Sequence, residues 1–144
     1  MSKAHLLLVD DETAFLSTMK KRLSKRDFDV TMADSGMAAL DILSESGHQT
    51  EVVILDVKMP GMDGIETLSE IKRKYPLLEV IMLTGHATVS SAIQGMKQGA
   101  FDYLMKPCEI DTLVEKVMEA AKKKRDHEQK IIEARMREIT HRRA

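Results

Sequence analysis

The chain has 144 residues, 43% apolar and 31% charged, the composition of a soluble globular domain able to bury a core. A single cysteine, Cys108, excludes an internal disulfide and fits a reducing compartment, and no apolar run approaches the roughly 20 residues of a membrane span. The net charge of −1 is uneven: residues 122–144 hold nine Lys/Arg against four Asp/Glu, a local +5 that leaves −6 on the body and argues against direct DNA binding by it.

In chain order, MSKAHLLLVDDE opens with an apolar run, His5–Val9, followed by acids and no small-residue cleavage site. It is read as a strand rather than a signal peptide, and the expected location is cytoplasmic. Phe15, Met19 and Leu23 then recur every four residues, the period of a helix. Val30–Ala33 is the second strand, and Ser35-Gly36 opens a second helix carrying Leu40 and Leu43. Val52–Leu55 is the third strand. Gly64 starts a third helix with Leu68 and Ile71, which Pro76 closes. After the fourth strand, Val80–Leu83, a stripe of Val89, Ala92, Ile93 and Met96 predicts a fourth helix with an apolar face. Tyr103–Met105 is the fifth strand. The last helix has Asp111 in its first turn and the cleanest stripe: Ile110, Leu113, Val114, Val117, Met118 and Ala121. Residues 108–144 contain no Gly or Pro, so this helix is expected to run well past the domain. Five alternations of strand and helix with short links predict an α/β fold, (βα)5, a doubly wound parallel sheet with right-handed crossovers. The continuous apolar runs suit strands buried on both faces.

In such sheets ligands bind beyond the carboxyl ends of the strands. There the sequence places Asp10, Asp11 and Glu12 after the first strand, Asp56 after the third, Thr84-Gly85 after the fourth and Lys106-Pro107 after the fifth. With strand order 2-1-3-4-5 these ends converge. A lone Asp after a strand is usually a turn residue or cap, and Glu12 is assigned to the first helical turn. Several carboxylates at one mouth repel, so they must bind a cation or take up protons. Hard oxygen ligands suit Mg²⁺, Lys106 can hold a phosphoryl oxygen or pair with Asp56, and Thr84 can donate to another such oxygen. An Asp nucleophile accepting a phosphoryl group is established chemistry.

The stretches VDDE, VVILDVKMPGMDG, VIMLTGHA and GAFDYLMKP, in this order, resemble the receiver domain of two-component response regulators, over residues 4 to about 121. Within that family the chain is most similar to receivers of enhancer-binding transcription activators. The resemblance implies a flavodoxin-like five-stranded sheet of order 2-1-3-4-5. It implies that Asp56 takes a phosphoryl group from a sensor histidine kinase or phosphotransfer protein. Asp10, Asp11 and Asp56 would hold Mg²⁺ together with the backbone carbonyl of Lys58. Thr84 would be the switch hydroxyl, Lys106 the site lysine, Tyr103 the switch aromatic, and the Lys106–Pro107 bond is often cis in the family. The implied protein is a phosphoprotein switch whose α4-β5-α5 surface controls an output domain or partner not present in this chain. Self-phosphorylation and self-dephosphorylation would be its only chemistry. Lys58 and His86 would flank the site, at positions where side chains in that family influence how long the phosphoryl group lasts.

Three other classes fit less well. A flavin-binding electron carrier needs a hydroxyl- and glycine-rich first loop, and DDET would repel phosphate. A haloacid-dehalogenase-type phosphatase wants a second Asp where Lys58 stands, and there is no GxxxxGK[ST] for a P-loop enzyme. Residues 1–121 are expected to be the receiver and 122–144 a basic helical extension: a linker, a dimerisation helix or a solvated basic arm. Ile132, Met136 and Ile139 keep four-then-three spacing, although Lys124, His127 and Glu128 interrupt the seam.

Overall fold

The structure is a computed structural model that describes residues 2–143; Met1 and Ala144, the outer ends of the two expected segments, lie outside the described residues. Its elements are β1 (His5–Val9), α1 (Thr13–Ser24), β2 (Asp29–Ala33), α2 (Gly36–Ser46), β3 (Val52–Leu55), α3 (Gly64–Lys74), β4 (Glu79–Thr84), α4 (Val89–Lys97), β5 (Asp102–Met105) and α5 (Ile110–Arg143). All strand pairs are parallel, in the order β2-β1-β3-β4-β5. This is the flavodoxin-like order, with the long last helix expected from the sequence.

Strand alternation divides the core in two. Leu6, Leu8, Ile54, Ile81 and Leu83 face α1 and α5, where Leu16, Leu23, Leu113 and Val117 meet them. Leu7, Val9, Val53, Leu55, Val80 and Met82 face α2 and α3, against Leu43, Leu68 and Ile71. Caps fix the helix starts. Ser35 accepts the Ala38 amide at 3.0 Å and Asp63 the Glu66 amide at 2.9 Å, each satisfying an otherwise orphaned N–H.

Three stripes sit differently from their sequence reading. In α1 the buried positions are Leu16, Met19 and Leu23, with Phe15 only partly buried. In α4 only Gly95 is buried; Val89 is 78% exposed and Ile93 and Met96 also face outward. The apolar stripe of α4 is a surface, because the helix turns its small residues toward β5. Beside it β5 is an edge strand, and Met105 is 64% exposed. Met118, expected in the α5 stripe, is exposed as well.

The first turns of the α5 extension are anchored at the amino end of the sheet. Arg125 forms a forked pair with Glu51 at 2.6 and 3.0 Å and donates to the Lys3 carbonyl at 2.8 Å. Lys123 lies 3.4 Å from Glu79, a carboxylate only 2% exposed. Beyond these contacts Ile131, Ile132, Met136 and Ile139 are exposed on a solvated helix.

Candidate functional site

The carboxyl ends of β1, β3 and β4 and the segment after β5 converge, as the strand order requires. Backbone hydrogen bonds set the spacing. The Asp10 amide donates to the Ala33 carbonyl at 3.1 Å, the Asp56 amide to the Val9 carbonyl at 3.0 Å and the Lys106 amide to the Thr84 carbonyl at 2.9 Å. The turn after Asp56 is pinned by Gly64, whose amide donates to the Val57 carbonyl at 2.7 Å. A Cβ at this position would overlap the Asp56 carbonyl oxygen, so α3 can start this close to β3 only with glycine there.

Asp10, Asp11 and Asp56 each offer a carboxylate oxygen, and the three oxygens lie within 4.8 Å of one another. Asp10 and Asp56 are 1% and 2% exposed, whereas Asp11 is open to solvent. Asp56 accepts its neighbour's amide, from Val57, at 2.8 Å. Asp10 accepts the Glu12 amide at 2.9 Å on one oxygen and the Lys106 ammonium at 2.7 Å on the other. Burial pushes the Asp10 carboxyl above its ordinary value; the Lys106 bond and the Glu12 amide oppose the shift, and the Asp56 charge adds to it. For Lys106 burial works downward, but the bond to Asp10 and the charges of Asp10 and Asp56 outweigh it, so its pKa is raised and it stays protonated.

Lys106 therefore pairs with Asp10 rather than with Asp56, the partner the sequence suggested. The reason is local. Its ammonium sits 3.9 Å from the centre of the Phe15 ring and 3.3 Å from Glu12, so α1 draws it toward the end of β1. Phe15 and Glu12 thus belong to the site's surroundings. The sequence reading placed the first only in a helical repeat and the second only in a helical turn, and no one-dimensional signal links either to position 106. Glu12 is the N-cap residue of α1, although its side chain makes no cap bond.

The other expected residues take distinct places. Thr84 is fully buried and accepts the His86 amide at 3.0 Å on its hydroxyl. Lys58 is exposed and lines a cleft of about 470 Å³ with Asp11, Glu12, Met59, Pro60 and His86, the open side of the mouth. Tyr103 is not brought into the mouth: its hydroxyl lies 2.6 Å from Ser91 on α4. The Lys106–Pro107 bond is cis. The donor set suits a small hard cation: three carboxylates, two of them buried, one of these paired with a lysine, with an open side for water.

Fold and mouth together define a doubly wound domain with an acidic mouth at its carboxyl edge. The chain belongs to the response regulator receiver domain family, whose model matches residues 6–118. This family serves bacterial two-component systems, in which phosphorylation and Mg²⁺ are typical. The chain is 36% identical over 114 residues to the DNA-binding transcriptional regulator NtrC of Klebsiella pneumoniae, covering 79% of this chain and 24% of that protein. It is 38% identical over 112 residues to the transcriptional regulatory protein FixJ of Bradyrhizobium diazoefficiens, covering 78% of this chain and 54% of that one. A crystal structure of a response regulator receiver domain protein from Clostridium thermocellum superposes with a TM-score of 0.81 at 38% identity, over 85% of this chain and 97% of the other. The chain spans about a quarter of the length of the NtrC relative and of the similar GlrR of Escherichia coli.

Proposed function

We propose that this chain is a phosphorylation-activated switch of a two-component phosphorelay, with Asp56 as phosphoacceptor. The observation that carries this reading is the cluster of Asp10, Asp11 and Asp56 oxygens within 4.8 Å, with Lys106 held at its edge. The Val57 amide occupies one oxygen of Asp56, so the other attacks the phosphorus of a phosphohistidine on a sensor kinase or phosphotransfer protein. The P–N bond breaks, the P–O bond forms, and the imidazole leaves with its electron pair and takes up a proton. Asp10, Asp11, Asp56 and the Lys58 carbonyl would hold Mg²⁺, which when bound neutralises charge on the transferring group. Lys106 leaves Asp10 for a phosphoryl oxygen, and Thr84 gives up the His86 amide to donate to another. Hydrolysis of the acyl phosphate by water returns the resting state, and Lys58 and His86 border the path that water takes.

Movement of Thr84 vacates space for Tyr103, and the α4-β5-α5 surface changes. Support for its being a contact surface lies in its outward apolar residues, Val89, Ile93, Met96, Met105 and Met118. It would act on an output domain or partner, in the cytoplasm, without DNA contact by this domain. Residues 1–121 form the switch and 122–144 the extension. In the presence of Mg²⁺ and a small phosphodonor, wild type is expected to gain one acid-stable, base-labile phosphoryl group, and Asp56→Asn none. Undiminished labelling of Asp56→Asn would move the acceptor elsewhere.

The exposed stripe of Ile132, Met136 and Ile139 favours contact between extensions of two copies over a solvated arm. Sedimentation over a concentration series, with and without a phosphoryl mimic, is expected to give a monomer–dimer equilibrium. A single monomeric species throughout would leave the extension as a linker.

A further inference from the structure

The side of α4 that faces β5 carries almost no apolar material, yet it is built closely around Tyr103. Ser91 and Gly95 are one helical turn apart and share that side. A Cβ on Gly95 would stand 3.6 Å from the Tyr103 ring, so the ring lies along the bare backbone of α4 with no side chain between. From there the Tyr103 hydroxyl reaches Ser91 Oγ at 2.6 Å. Ser91 is also the third helical residue and closes a capping box with Thr88.

Ser91 Oγ has four partners. Thr88 Oγ1 accepts the Ser91 amide at 3.0 Å. Ser91 Oγ can accept from the Thr88 amide at 3.2 Å and the Thr88 hydroxyl at 2.9 Å, and can donate to the Thr88 carbonyl at 3.1 Å. The Tyr103 hydroxyl, at 2.6 Å, is the nearest of the four, and either hydroxyl can supply the hydrogen between them. Tyr103 is the one member of the set outside the cap and first turn of α4. Turning the ring inward breaks this bond and leaves the rest of the box intact.

We propose that Ser91, with Gly95, is a latch that holds the Tyr103 ring against α4 and sets how far the unphosphorylated switch is biased to its resting state. The proposal rests on the reading of Tyr103 as the switch aromatic and adds the residue that positions it. A neutral hydrogen bond of this kind changes an equilibrium by about two- to tenfold. Loss of the latch should therefore raise the inward population of the resting protein by that factor. Because phosphorylation favours the same state, it should also raise the rate of labelling by a small phosphodonor.

The chain has two tyrosines and no tryptophan, so Tyr75→Phe leaves Tyr103 as the sole tyrosine. In that background, carrying 3-fluorotyrosine, the fluorine resonance of Tyr103 is recorded with and without Mg²⁺ and beryllofluoride as phosphoryl mimic. The resting resonance of Ser91→Ala is expected to move toward the mimic-bound position, and Ser91→Thr, which keeps the hydroxyl, to return it. Tyr103→Phe, which leaves the capping box untouched, is expected to speed labelling by the same factor as Ser91→Ala. A Ser91→Ala resonance at the wild-type resting position, while wild type still responds to the mimic, overturns the latch and leaves the switch reading intact. A Tyr103 resonance that ignores the mimic while Asp56 is labelled overturns both latch and aromatic switch, but not the phosphoacceptor. Unchanged labelling rates in both variants also overturn the latch.

Discussion

The two ends of the sheet bury carboxylates in opposite ways. At the amino end, Glu79 is enclosed with Lys123 at 3.4 Å and Lys72 at 3.8 Å, and Glu51 is forked by Arg125. At the carboxyl end, Asp10, Asp11 and Asp56 crowd together, and Lys106 pairs with Asp10 and Glu12. Burying a carboxylate is costly, and a structural site offsets that with opposite charge. The amino end does so, and it binds the helix extension to the body in the process. The carboxyl end leaves like charges together, an arrangement that costs stability and that the proposed cation and phosphoryl group would relieve. Charge balance thus separates the end that holds the fold from the end proposed to carry the phosphoryl group.

The largest effect that could break this comparison is at Glu79. Glu79→Ala leaves Lys72 and Lys123 without their carboxylate and should lower the unfolding free energy by about 3 kcal/mol, measured by urea denaturation. Lys72 keeps its bonds to the Pro76 and Leu78 carbonyls, which holds the loss near the lower end of the range for broken buried pairs. A change near zero would mean that the amino-end pairs are ornamental.

A smaller effect lies in pH. The Asp10 carboxyl is raised above its ordinary value of 3.8, chiefly by burial. Below the ordinary value both folded and unfolded chains are protonated there. As pH rises from there through the raised folded value, the folded chain holds the proton longer and loses stability relative to the unfolded one. With divalent cations chelated, wild type should therefore lose ground to Asp10→Asn as pH rises from about 4 through the raised folded value. A difference between the two that is flat in pH would contradict the crowding of charge at the mouth.

Much of this was legible beforehand, for reasons that also explain the exceptions. Leu6–Val9, Val52–Leu55 and Val80–Leu83 are buried on both faces, so each strand reads as a continuous apolar run. Asp10, Asp56, Thr84 and Lys106 fall at strand ends, and strand order alone brings them to one mouth. The outward stripe of α4 was not legible as such. A helical period tells which residues share a face but not which way the face points, and the inward face here is Ser91 and Gly95, which carry no apolar signal. The partner of Lys106 was equally hidden, because a flexible lysine follows nearby charge and the Phe15 ring rather than sequence spacing. Glu79 lies where a polar residue introduces an apolar strand, and only the packing of α3 and α5 around it reveals that it is buried.

The most direct test sets the stability of wild type against Asp56→Asn, first with divalent cations removed and then in excess Mg²⁺. Asparagine keeps the acceptor for the Val57 amide and removes one like charge from the mouth. Without cations, Asp56→Asn should be as stable as wild type or more stable, by up to about 1 kcal/mol. Excess Mg²⁺, at about a hundred times its dissociation constant, should raise wild type by about 2.7 kcal/mol and the variant by less, reversing their order. If Asp56→Asn is instead the less stable protein without cations and Mg²⁺ moves neither, the carboxyl-end cluster is a structural site like the one around Glu79.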